Sequence, residues 1–194
     1  MTEALEAEQI AALFTRDGRY LCARWGRPVA PVIFGLADDS LDIFRSVTRA
    51  ALAHAGVGLA ETDPEMGANM MSFFVGDWDE LADIPDLAAL TGQTDLPARL
   101  QARGADQYRI FRFDQDGAIR ACLSFANMGG RLAEAHPAEL AETMVMRALL
   151  TFACEITPSH ALAELIRAAY DPVLPAAATD PTHALRLAAR MPRT

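Results

Sequence analysis

The chain has 194 residues, 52% hydrophobic and 22% charged, a balance that gives a globular domain with a sizeable core and excludes a disordered one. Its net charge of −9 opposes a phosphate backbone, and its arginines stand singly between acidic residues, so nucleic acid is not expected as a partner. All 17 basic residues are arginine, and without a lysine there is no pyridoxal-phosphate Schiff base, no P-loop and no kinase phosphate lysine.

The N-terminus, MTEALEAEQIAALF, carries acids where a signal peptide carries basic residues. No run of about 18 apolar residues occurs, which predicts a cytoplasmic chain without a membrane span. Residues 3–15 read as a helix with Gly18 near its end, and Arg19 to Trp25 as a strand. Pro28 and Pro31 bracket Val29, so Val29 to Phe34 is expected to be an edge or bulged strand, because proline cannot donate to a ladder. Asp39 or Ser40 should cap the next helix, in which Leu41, Phe44, Val47, Ala51 and Ala55 form an apolar stripe that Gly56 stops.

Val57 to Glu61 reads as a strand, and Asn69 to Val75, apolar on both faces, as a central one. Short helices follow near 79–81, 85–90 and 97–103. Tyr108 to Phe113 and Ala118 to Phe125 flank Asp116-Gly117, the chemistry of a tight hairpin turn. A long helix is expected over Pro137–Glu155, another from Ser159 to Tyr170, and a last one over Pro181–Met191 that docks on the domain or on a neighbour. The order predicts an α+β fold: a mixed or mostly antiparallel sheet packed by helices, with a C-terminal hairpin followed by a long buried helix. Residues 1–170 form the single domain, and 171–194 a linker and short helix.

No G-x-G-x-x-G or G-x-S-x-G motif occurs. Cys22, Cys122 and Cys154 are odd in number and lack a C-x-x-C, which suits a reducing compartment and small core residues. No two of His54, His136, His160 and His183 lie at helical spacing for a metal, and the acidic clusters, Asp63/Glu65 among them, lack a calcium loop, so neither metal nor cofactor is expected. His136-x-x-Glu139 looks like an inverted zinc motif without its last histidine, but one histidine and one carboxylate are short of ligands, and the stretch reads better as a helix start with Pro137 first and Glu139 in the first turn. Glu139, Thr143, Arg147, Thr151 and Glu155 recur at steps of four, a polar line that winds around the helix and meets either solvent or a cleft. A buried Arg147 needs a carboxylate or hydroxyl partner. Trp25 and Trp78 stand at strand ends, placed either to anchor a partner or to close the core edge.

The succession RWGRPVAPVIFG, an amphipathic helix, GANMMSFFVGD, DGAIRACLSF and a helix with AELAE resembles an uncharacterised proteobacterial domain family thought to be zincin-like, over about residues 20–155. The resemblance rests on apolar patterns with Trp25, Pro28, Asn69 and Gly117. It implies a metzincin-like α+β core with the long helix in the place of the metal-binding one. The H-E-x-x-H motif is missing, and that helix offers Glu139 and Glu142 without histidines. A second likeness, to small α+β secretion-chaperone-like domains, implies protein binding. The resulting expectation is a non-catalytic cytoplasmic protein-interaction domain that binds a protein or itself. The alternative is a hydrolase-like or metal-dependent enzyme with a degenerate site at His136, Glu139, Glu142 and Arg147.

Overall fold

The computed structural model describes residues 5–192. Helix α1 (Ala7–Leu13) opens on a reciprocal capping box between Glu6 and Gln9 and buries Ile10. The strand expected at 19–25 is broken into short pieces. β1 (Thr15–Arg16) and β2 (Arg19–Tyr20) form a ribbon whose turn residues, Asp17 and Gly18, both take positive φ. β3 (Cys22–Ala23) then leaves the ribbon and pairs elsewhere.

β4 (Pro31–Phe34) is a short edge strand, as its prolines require. α2 (Asp38–Ala55) buries Phe44, Thr48, Leu52 and Ala55, and Gly56 ends it in the left-handed conformation. Its N-cap is Ala37 and no side chain caps it; Asp38 and Asp39 lie in the first turn, where the helix dipole favours carboxylates. Residues 57–61 contribute only one bridge, Leu59 to Val29.

β5 (Met70–Val75) is central, with β4 parallel on one side and β7 (Ile119–Asn127) parallel on the other. Between β5 and β7 the chain makes a 3-10 helix at Trp78–Asp83, α3 (Leu87–Thr91), α4 (Leu96–Ala102) and β6 (Gln107–Phe113). β6 turns back through Gly117, at φ 79°, and pairs antiparallel with β7. The sheet is therefore mixed, in the order β4-β5-β7-β6.

Alternation sorts the side chains into two cores. Phe73, Val75, Leu123 and Phe125 face Trp78, Leu81, Leu87, Leu96 and Leu100 on one side. Phe74 and Ala126 face Phe44 of α2 and Leu140, Ala141, Met144 and Val145 of α5 (Pro137–Leu149) on the other. The long helix stops at Leu149 and not at Glu155, because Leu150 turns extended and bridges Arg24. α6 (His160–Ala169) is capped by Ser159, whose hydroxyl accepts from Leu162 N–H at 3.2 Å. The stretch read as a linker holds β8 (Ala177–Ala178), the antiparallel partner of β3. α7 (His183–Ala188) packs on α1 and sends Ala184 and Leu187 into a third core, with Ile10, Phe14, Leu149 and Leu165. Cys22 and Cys122 are buried, whereas Cys154 is exposed.

Candidate functional site

The helix layer over β7 and β5 stops short of β6, and a cleft of about 490 Å³ opens there. Five arginines from four places line it: Arg16 and Arg19 from the β1–β2 ribbon, Arg103 from the end of α4, Arg109 from β6 and Arg147 from the last turn of α5. Its one acidic lining residue is Glu155. The local formal charge is thus +4, five arginines less one glutamate, in a chain whose net charge is −9. Phe14 and Phe152, stacked at 5.1 Å, and Phe111 and Phe113 add aromatic walls.

Each part is held by local chemistry. Arg109 donates from Nη1 to the Arg147 carbonyl and from Nη2 to the Phe152 carbonyl at 2.9 Å, so it closes the C-terminal end of α5, where carbonyls lack helical partners. Its guanidinium also lies over the Phe111 ring, 4.9 Å from the centroid. Burial, with Arg147 and Arg16 acting the same way, pushes Arg109 down to about 10 against the pull of Cys122 and Glu155, and it remains a cation at neutral pH. Thr151 ties the ribbon to the end of α5: its hydroxyl donates to the Leu21 carbonyl and accepts from Ala23 N–H, both at 2.8 Å. Arg16 donates to the Ala153 carbonyl at 2.6 Å.

Among the described residues, Arg147 is the only cleft arginine with a carboxylate partner, Glu155 at 2.8 Å. That carboxylate is 82% exposed, so the pair is weak, and the buried Arg147 Nε has no partner. Arg19 and Arg103 are exposed and make neither an ion pair nor a side-chain hydrogen bond among the described residues.

The expected site residues are only partly brought together. Arg147, Thr151 and Glu155 meet in the cleft, but the last two lie beyond the helix end. His136, Glu139 and Glu142 are exposed on the other part of α5 and do not reach the cleft. The His136 ring accepts from Ala138 N–H at 3.3 Å and caps α5. No group of three or more His, Cys, Asp or Glu residues is placed to hold a metal ion among the described residues. Trp25 and Trp78, read as candidate anchors for a partner, are instead 2% exposed, and each indole N–H donates at 2.8 Å to a carbonyl, of Ala148 and Ala105 respectively. Glu142 borders a second, more apolar cavity of about 400 Å³ between α2, α5 and α6, with His54 turned to the Ala163 carbonyl at 2.9 Å.

Convergence of the arginines is what sequence reasoning missed. They lie up to 131 positions apart, from Arg16 to Arg147, and only the fold gathers them. The one local signal is the alternation Gln107, Arg109, Phe111, Phe113, which sets a cation among aromatics on one face of β6. Among the described residues no helix is long and apolar enough to cross a membrane. Comparison with family models, curated proteins and solved structures finds no match to this chain.

Proposed function

We propose that this chain is a non-catalytic, cytoplasmic interaction domain whose working surface is the arginine-lined cleft and whose partner is an acidic segment of another protein. The observation that carries this reading is the chemistry of the lining. Guanidinium groups donate hydrogen bonds and stay protonated at neutral pH, so they recognise carboxylates but act neither as nucleophile nor as general base. The hydroxyls present are already engaged: Thr151 by Leu21 and Ala23, and Tyr108 by the Gln93 amide at 3.0 Å. The net charge of −9 repels a long polyanion, whereas a short acidic segment meets mainly the local positive field.

Titration of isotope-labelled protein with a short polyglutamate peptide tests the reading. Amide shifts are expected over Gln107–Phe113 and residues 151–155 and not along Asp38–Ala55. Shifts that are absent, or centred on another surface, overturn it.

A further inference from the structure

Resting on that reading, we infer that the acidic segment binds extended, as a fifth strand added to the outer edge of β6 in the four-stranded sheet. β6 ends the sheet, and no strand among the described residues pairs with its outer side. The phase of the ladder says which groups are free. Asn127 N–H donates to the Asp106 carbonyl at 2.9 Å, and alternation then turns the polar groups of Tyr108, Ile110 and Arg112 toward β7. Those of Gln107, Arg109 and Phe111 point outward, without a hydrogen-bond partner among the described residues.

The cleft follows this edge. Leu100 and Tyr108 belong to the core on one face of the sheet, Arg109 and Phe111 stand on the other, and all four border the cleft. A space that touches both faces of an end strand runs along its edge. A segment lying there alternates its side chains, and every second one meets the side that holds Arg109. The exposed Arg19 and Arg103 complete the positive rim.

Charge selects the occupant. A second copy of β6, reading QYRIFRF, carries two arginines and no acid, so it would add positive charge to an edge that is already positive. Glutamates at alternate positions reverse that sign. The edge therefore rejects its own copy and admits an acidic strand.

The test is fluorescence anisotropy of a labelled peptide as long as β6, alternating glutamate and valine, titrated with the full chain. Two analogues carry N-methyl groups, each along one edge of the peptide, so that charge is kept and pairing along that edge is lost. One analogue should bind like the parent and the other about tenfold more weakly. The double variant Arg19→Glu/Arg103→Glu should bind the parent about tenfold more weakly, with an unchanged circular dichroism spectrum. If both analogues bind as the parent does, strand addition is wrong while the acidic-partner reading stands. If the parent peptide does not bind, or the double variant binds it undiminished, both fall.

Discussion

The two edges of the sheet are built on opposite plans. β4 is four residues long and begins at Pro31. Its approach is clamped by Asn69, fully buried, whose Oδ1 accepts from Ala30 N–H at 2.8 Å and whose Nδ2 donates to the Pro28 carbonyl and to Asp63, both at 3.0 Å. Just past the strand, Gly35 at φ 85° lies so close to the Phe74 carbonyl that a Cβ would sit 1.9 Å from its oxygen. β6 is seven residues long, lacks proline and opens on a charged cleft. Side-chain hydrogen bonds fix the approach to one edge, whereas the other turns a row of unpaired polar groups toward the cleft. Backbone chemistry thus sets β6 apart from β4 as clearly as the arginines do.

The sharpest way to separate the edges is to damage the clamp. Asn69→Ala leaves the Ala30 amide, the Pro28 carbonyl and the Asp63 carboxylate short of a partner and should cost about 3 kcal/mol in urea unfolding. Peptide affinity of the folded fraction should not change, and a parallel loss of affinity would mean that the two edges are coupled. Arg109→Gln works on the other edge and removes both the closure of α5 and a cleft cation. We expect a loss of about 2 kcal/mol in stability together with weaker peptide binding. Unchanged stability would show that the carbonyls of Arg147 and Phe152 do not depend on it.

This contrast explains what could be read in advance. The prolines mark β4 as an edge or bulged strand, the doubly apolar NMMSFFV marks β5 as central, and Asp116-Gly117 marks the β6–β7 hairpin, because each is a local backbone or burial signal. The end of the long helix was not legible, since Leu150 leaves it to meet Arg24, a contact made 126 positions away. The cleft was illegible for the same reason. Arg147 was visible as a polar residue on an apolar helix, but its company, Arg16, Arg19, Arg103 and Arg109, exists only after folding. Of the two readings open for Trp25 and Trp78, closing the core edge fits, because a strand-end tryptophan whose indole N–H finds a carbonyl is at home in the core.

Acid should tell the edges apart a second time. Burial alone would raise the Asp63 carboxyl, but the amides of Met66 and Glu65, the Asn69 side chain and Arg27 outweigh it and hold the group below its usual value. A depressed folded pKa contributes stability that is fully present above the unfolded value of about 3.9 and is lost as pH falls through the lower folded one. Asp63→Asn should flatten that part of the urea midpoint against pH. Peptide binding at β6 should fade earlier on the way down, as the peptide's glutamates protonate near about 4.3. If binding outlasts the Asp63 transition, carboxylates are not what the arginines hold.

The smallest expected effect tests whether backbone or charge defines a recognition edge. Met70 N–H donates to the Ala30 carbonyl at 3.3 Å, so alternation turns the nitrogen of Pro31 away from β5, toward the outer side. Pro31→Ala restores a donor there and costs about 0.5 kcal/mol through the added freedom of the unfolded chain. β4 then adds an outward N–H at position 31 to that of Ile33, but has no ring of arginines. Binding of the acidic peptide should keep a single site with unchanged affinity, because a bare donor does not attract a charged strand. A second site in the Pro31→Ala titration would mean that unpaired backbone suffices, and that at β6 the arginines set the sign of the partner and not its place.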